Sequence, residues 1–182
     1  MNISEKDLEK ELTVGRKKSA KPMLWVSMIS MVMFFAGLTS AYVISMRRDD
    51  WVTFDLPDAF YMSTILIILS SITISMSQRF IKKGKRELSI VLLIITFVLG
   101  IAFVWQQYAG FEDLRNAGLF FTGPTSTVST SFIIGISLMH AFHVFAGIIV
   151  LLVVIYNHFK YKYTSDDLLG FELGAIFWHF VD

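Results

Sequence analysis

The chain has 182 residues, of which 54% are hydrophobic and only 17% are charged, and its formal net charge at pH 7 is +1. A soluble domain averages about 25% charged residues. Together with a mean hydropathy of +0.60, this shortage of charge excludes a water-soluble globule.

Long apolar runs show which class remains. Residues 23–46, 59–78, 88–108 and 118–157 contain no Asp, Glu, Lys or Arg, and about 18 apolar residues suffice to cross a bilayer as a helix. The last run begins with turn-forming residues that include Gly123 and Pro124, so its helix is predicted only from residue 128. A fifth apolar stretch contains one Glu and one His and stops at the end of the sequence.

These runs predict an all-α integral membrane protein. We expect a polar N-terminal tail, residues 1–22, and one domain, residues 23–182, of five transmembrane helices. The helices are predicted at about 23–46, 59–80, 88–108, 128–157 and 166–182, the last apparently cut short. Of the 16 Lys and Arg residues, 13 lie in segments on the side of the N-terminus and 3 on the other side. Because Lys and Arg favour cytoplasmic loops, the N-terminus is expected inside and the C-terminus outside.

Several kinds of chemistry are excluded by composition. The chain has no Cys, which excludes disulfides, iron–sulfur clusters, thiolate copper centres and Cys-based zinc sites. It also has no glycine-rich phosphate loop and no basic strip interleaved with aromatic residues. We therefore expect no nucleic-acid partner.

Polar residues inside the last predicted span are candidates for a site. Glu172, His179 and Asp182 are spaced i, i+7 and i+10, which places them on one stripe of an α-helix. Ionisable side chains are costly in lipid, so this stripe is expected to meet protein, headgroup or water. The sequence leaves open a structural pairing with a neighbouring helix and a functional role.

Two histidines in the fourth predicted helix form a second candidate. His140 and His143 are spaced i, i+3, and two imidazoles on one face can bind a metal. A complete site needs further ligands, of which His179 is one possibility. The favoured interpretation is that both histidines are hydrogen-bonded packing residues.

The end of the chain carries a specific resemblance. Residues 170–182, with Gly-Phe-Glu followed by Trp-His-Phe-Val-Asp, closely resemble the signature of cytochrome c oxidase subunit III. Residues 140–144 and Gly147 are similar to that family's His-Gly-Leu-His-Val segment and its downstream Gly. The other three spans carry weaker similarities, at 33–38, 63–73 and 100–107.

The sequence departs from the family pattern at three places. Met31 stands where the family has a membrane-embedded Glu, which puts any role of that carboxylate in doubt, and Ala141 replaces a Gly between the two histidines. The family also continues beyond the position of Asp182, so the native chain is expected to continue. Five spans instead of seven resemble the short bacterial form, which lacks the first two helices.

The resemblance implies an accessory, non-redox subunit of a proton-pumping haem-copper terminal oxidase in the bacterial cytoplasmic (inner) membrane. Such a subunit packs beside oxidase subunits I and II, which hold the haem and copper, binds phospholipid and prolongs turnover. It is part of an oxidase complex without carrying the catalytic centre. With four His and no Cys, the chain has too few ligands for the centres of either partner, so no haem or metal is expected in it.

These considerations lead to one hypothesis about the site. We expect a polar seam between the last two helices that anchors a phospholipid headgroup at its inner end and fixes helix register deeper in the membrane. Its residues are His140, His143, Glu172, Trp178, His179 and Asp182. Three alternatives remain: subunit III of a quinol oxidase, a small proton-coupled transporter, and a self-contained membrane haem protein. The electron donor and any supercomplex are not determined by the sequence.

Overall fold

The computed structural model describes residues 5–53, 58–123, 126–163 and 167–182. Within these ranges the chain forms five α-helices and no β-strand: α1 (Glu5–Ser45), α2 (Asp58–Lys82), α3 (Arg86–Asn116), α4 (Val128–Phe159) and α5 (Leu169–Val181). α2, α3, α4 and residues 11–45 of α1 are long and apolar enough to cross a membrane, while α5 is shorter. The predicted all-α membrane fold is confirmed.

Two helices extend beyond their predicted ends. α1 begins at Glu5 instead of residue 23 and continues through Pro22, because the polar tail is rich in Glu and Lys, which favour helix. α3 continues to Asn116, past the predicted end at residue 108. Hydropathy marks the apolar part of a helix and not its polar extensions. The predicted turn residue Pro124 lies outside the described residues.

α2 and α3 form a closely packed antiparallel pair with small residues at the interface. The buried positions of α2 alternate between Ser and Ile at spacings of four and three, and those of α3 follow the same spacing with Ser, Leu, Thr, Gly and Phe. Small residues let transmembrane helices approach and let hydroxyls bond between them. Ser77 Oγ donates to the Ser89 carbonyl oxygen at 2.7 Å, and the Oγ1 atoms of Thr73 and Thr96 are 2.8 Å apart.

Trp178 connects α5 to three other helices. Its side chain is buried, and its indole N–H donates to Ser70 Oγ of α2 at 2.9 Å. The ring lies against two glycines: a Cβ added at Gly100 of α3 would be 2.8 Å from Cη2, and one at Gly147 of α4 would be 3.3 Å from Cε3. The indole therefore occupies space that only glycine leaves free.

α1 is packed more loosely than the other long helices. It contacts α4 and α5, and Met28 is the one buried residue among its described side chains, residues 11–45. The Phe35 ring meets the His143 ring edge-on, with centroids 5.4 Å apart. Most of the surface of α1 is therefore left for lipid or another protein.

Candidate functional site

The candidate site is a row of polar contacts between α2 and α5, which we call the polar ladder. It consists of three side-chain pairs, Lys82–Glu172, Ser75–His179 and Ser71–Asp182, with closest polar atoms 3.1, 3.0 and 2.6 Å apart. Residue numbers fall along α2 as they rise along α5, so the two helices are antiparallel at this contact.

Helical periodicity explains why the ladder forms. The α5 residues are spaced i, i+7 and i+10, and Ser71, Ser75 and Lys82 are spaced i, i+4 and i+11, so each set lies on one helix face. The sequence identified the α5 half. The α2 half was missed because neither Ser71 nor Ser75 was singled out as a site residue, although their spacing is visible in the sequence.

At one end of the ladder, Glu172 is held by two lysines. Its Oε2 accepts from Lys21 Nζ of α1 at 2.8 Å, and its Oε1 is 3.1 Å from Lys82 Nζ of α2. One helical turn away, Lys17 of α1 pairs with Asp167, and the hydrogen bond from Lys17 lowers the pKa of the Asp167 carboxyl. These ion pairs attach the polar half of α1 to α5.

The rest of the ladder lies near the middle of the membrane, because Ser71 lies close to the midpoint of the spanning helix α2. Its Oγ donates to Asp182 Oδ2 and lies 3.1 Å from His179 Nδ1, while His179 Nε2 lies 3.0 Å from Ser75 Oγ. A continuous hydrogen-bonded chain thus runs from Asp182 through Ser71 and His179 to Ser75.

Three of the six predicted seam residues contact α2 instead of α4, so their expected location between α4 and α5 is wrong. Glu172, His179 and Asp182 face α2, and Trp178 donates to α2. The face of α5 that meets α4 carries Gly174, which lies against Val154, and Trp178, whose ring lies against Gly147 of α4. A periodic stripe specifies one face of a helix but not which neighbour covers it.

His140 and His143 of α4 lie apart from the ladder, in a groove that α1 and the α5 residues Phe180 and Val181 also line. The His140 ring meets Phe35 and Phe103 edge-on, with centroids 6.5 and 6.3 Å apart, and His143 Nδ1 donates to the Met139 carbonyl oxygen at 2.7 Å. His179 is bonded to α2 instead. Across the described ranges, no group of three or more His, Cys, Asp or Glu side chains is arranged to hold a metal ion.

A further polar cluster, which the sequence analysis missed, joins α3 to the end of α4. His158 is fully buried, with Nε2 3.2 Å from Ser89 Oγ. The Arg86 guanidinium donates to the carbonyl oxygens of Tyr163 and His158, and burial raises the pKa of the Tyr163 phenol. His158 lies at the polar end of a span, where hydropathy gives no sign that a side chain is buried.

The fold and the paired polar groups within it define a multi-pass helical membrane protein. A family model described as "Cytochrome c oxidase subunit III" matches residues 3–182. The chain therefore belongs to the cytochrome c oxidase subunit III family.

Individual relatives agree with this assignment. The chain is 32% identical over 129 residues to a protein named "Cytochrome c oxidase subunit 3" from Neurospora crassa, an alignment that covers 71% of this chain and 45% of the relative. It is 30% identical over 124 residues to the protein of the same name from Hippopotamus amphibius, covering 66% and 44%. The chain thus spans less than half the length of the curated relatives it matches.

Proposed function

We propose that this chain is a non-redox accessory subunit of a proton-pumping haem-copper terminal oxidase, packed beside the subunits I and II that hold the haem and copper. The observation that carries the proposal is the family match over residues 3–182. Among the described residues, four helices of spanning length support a role inside the membrane part of such a complex.

The contacts of its buried polar groups support a scaffolding role. Trp178 is bonded to Ser70, and His179 to Ser71 and Ser75, so these groups fix helix positions. In this proposal the subunit maintains the arrangement of the catalytic subunit during turnover and takes no part in electron transfer.

The proposal includes a phospholipid between α1, α4 and α5. These helices line a groove of about 500 Å³ whose walls are largely apolar and include Leu24, Ile149 and Leu173. Lys21 and Lys82 lie beside Glu172 and supply positive charge for a phosphate. An acyl chain fits such walls, and ammonium groups attract an anionic headgroup.

The proposed location is a bacterial cytoplasmic membrane, with the N-terminus inside. The asymmetry of 13 Lys and Arg residues against 3 supports this orientation. It would place Lys21, Lys82 and Glu172 at the inner headgroup level.

Purification of the intact complex tests the proposal. The tagged chain is extracted in mild detergent, its co-migrating chains are identified, and absorption spectra are recorded before and after the subunits are separated. We expect haem- and copper-binding subunits to co-migrate, with the Soret band remaining with them. A Soret band in the separated chain, or oxidase activity of the chain alone, contradicts the proposal. A Cys-containing copper subunit among the partners would distinguish a cytochrome c oxidase from a quinol oxidase.

A further inference from the structure

The first part of α1, residues 11–21, continues this helix beyond the groove that α1, α4 and α5 line. Residues 11–19 are exposed, so this segment buries little apolar surface that would hold it against the bundle. Ion pairs join it to residues at the start of α5, from Lys17 to Asp167 and from Lys21 to Glu172. We call residues 11–21 the strap and these two ion pairs its fastening.

The fastening lies at one end of the groove. Lys21 lies one helical turn before the groove residue Leu24 on α1, and Glu172 directly precedes the groove residue Leu173 on α5. The ion pair between Lys21 and Glu172 therefore connects two walls of the groove, α1 and α5. This is the end at which we place the phospholipid headgroup, so the strap lies where a lipid would enter or leave.

Pro22 supplies a hinge between the strap and the spanning part of α1. Proline has no N–H, so the carbonyl oxygen of Lys18 lacks its usual bond within the helix, and helices bend most readily at such positions. Beyond the hinge, Met28 is buried and anchors the spanning part against the bundle. The strap can therefore swing about Pro22 while the rest of α1 keeps its place.

The fastening is weak enough to open. The side chains of Lys17 and Asp167 are 58% and 50% exposed, and exposed ion pairs contribute little to stability and are screened by salt. Glu172 is less exposed, and it is shared between Lys21 of the strap and Lys82 of α2, so it keeps a partner when the strap leaves. Both pairs of the fastening can therefore break without unfolding a helix.

We propose that the strap closes the headgroup end of the groove and thereby slows the exchange of the phospholipid inside it with the surrounding membrane. The two ion pairs hold the strap closed, and it opens about Pro22 when they break. This inference rests on the proposed function, because it takes the phospholipid in the groove as given, and it adds the device that retains the lipid.

Lys17 and Asp167 test the strap alone, because neither is among the residues that we place at the lipid headgroup. Lys17→Gln removes their ion pair, and Lys17→Asp combined with Asp167→Lys restores it with the charges exchanged. Lys18→Gln is the matched control. It removes the same charge from the next residue, and Lys18 takes part in none of the ion pairs found among the described residues.

Photolabelling by a lipid probe measures the exchange. The purified intact complex is mixed with detergent micelles that contain phosphatidylglycerol with a diazirine on one acyl chain, illuminated after increasing times, and analysed by peptide mass spectrometry. Labelling of the peptide that contains Leu173 reports on the groove. Labelling of the peptide that contains Val98, which is exposed on α3, reports on an open surface. The ratio of the two labelling rates corrects for the amount of probe.

Lys17→Gln should raise this ratio by about two- to fivefold, which is the range that the loss of one exposed ion pair allows. Lys18→Gln should leave the ratio unchanged, and the exchanged pair should return it towards that of the original chain. An unchanged ratio in Lys17→Gln, an equal rise in Lys18→Gln, or no recovery in the exchanged pair would overturn the inference. If no phospholipid co-purifies and the Leu173 peptide is never labelled, the proposed phospholipid site fails instead.

A second measurement follows the strap itself. Because the chain has no Cys, spin labels can be attached at the exposed positions Val14→Cys in the strap and Leu88→Cys in α3. Their distance distribution in the intact complex should broaden as the salt concentration rises from about 0.01 to 1 M, which shortens the Debye length from about 30 to about 3 Å. Labels at Leu88→Cys and Phe159→Cys, both outside the strap, should keep their distribution. Equal behaviour of the two label pairs would contradict a moving strap.

Discussion

Substitution of Gly100 by Ala tests the contact of Trp178 with α3. The added Cβ would lie 2.8 Å from Cη2 and 3.1 Å from Cζ2 of the indole, closer than van der Waals contact. The ring cannot easily retreat because its N–H is bonded to Ser70 and its other edge meets Gly147. Overpacking of this kind costs about 1–3 kcal/mol.

A matched glycine isolates that cost. Gly37 in α1 has nothing within 4 Å of an added Cβ, so Gly37→Ala should only gain helix propensity, about 0.5–1 kcal/mol. The same gain applies at Gly100, and the two Ala variants should therefore differ by the overpacking cost of about 1–3 kcal/mol. At about 2–4 °C per kcal/mol for a chain of this size, Gly100→Ala should melt about 2–12 °C below Gly37→Ala.

The assay is thermal unfolding of the purified chain in detergent micelles, followed by far-ultraviolet circular dichroism. Trp178→Phe supplies the second half of a double-mutant cycle, because a phenyl ring is shorter than the indole edge that meets Gly100. Trp178→Phe alone should be destabilising, through a cavity and the lost bond to Ser70. In that background Gly100→Ala should be neutral or stabilising, a coupling expected for residues in contact. Equal melting of the Gly100→Ala and Gly37→Ala variants, or additive effects in the cycle, would refute the reasoning.

Three further predictions concern the core, the ladder and pH. Leu93→Ala removes a fully buried side chain from α3 and should lower the free energy of unfolding by about 2–5 kcal/mol. Val98→Ala, at an exposed position of the same helix, should lower it by less than about 0.5 kcal/mol. Similar unfolding curves for the two variants would argue against the α2–α3 interface. Glu172→Gln and His179→Ala should shorten the turnover lifetime of the oxidase or lower its assembly, and should leave its first-minute rate per haem unchanged. An immediate loss of that rate at normal haem content would instead indicate a direct catalytic role. Burial raises the pKa of the Tyr163 phenol above its usual value of 10.0. The stability that Tyr163 contributes should therefore be complete below pH 10.0 and be lost as the pH rises through the folded-state pKa. A spectrophotometric titration in which Tyr163 of the folded chain ionises at or below its usual pKa would contradict this prediction.

The sequence was informative wherever a property belongs to a single helix. Uninterrupted apolar runs place the cores of α1 to α4, because a helix must satisfy its own backbone hydrogen bonds in lipid. The spacing of Glu172, His179 and Asp182 correctly placed them on one face of α5, because helical periodicity is a local property.

Properties that depend on two helices together were not predictable in the same way. The stripe on α5 is covered by α2, although α4 is its neighbour in the sequence, and the choice depends on Gly174 fitting against Val154 while Ser71 and Ser75 supply hydroxyls. The contacts of Gly100 and Gly147 with the Trp178 ring likewise depend on the relative register of three helices. The polar start of α1 was missed for a different reason, because its Glu and Lys residues favour helix although they oppose membrane insertion.

We propose that this chain stabilises a haem-copper oxidase without taking part in electron transfer. Oxygen consumption by the oxidase, purified with and without the chain and normalised to haem content, tests it most directly. We predict equal initial rates and a faster decline of activity during turnover in the preparation that lacks the chain. Equal lifetimes, or an immediate loss of rate together with loss of haem, would contradict the claim.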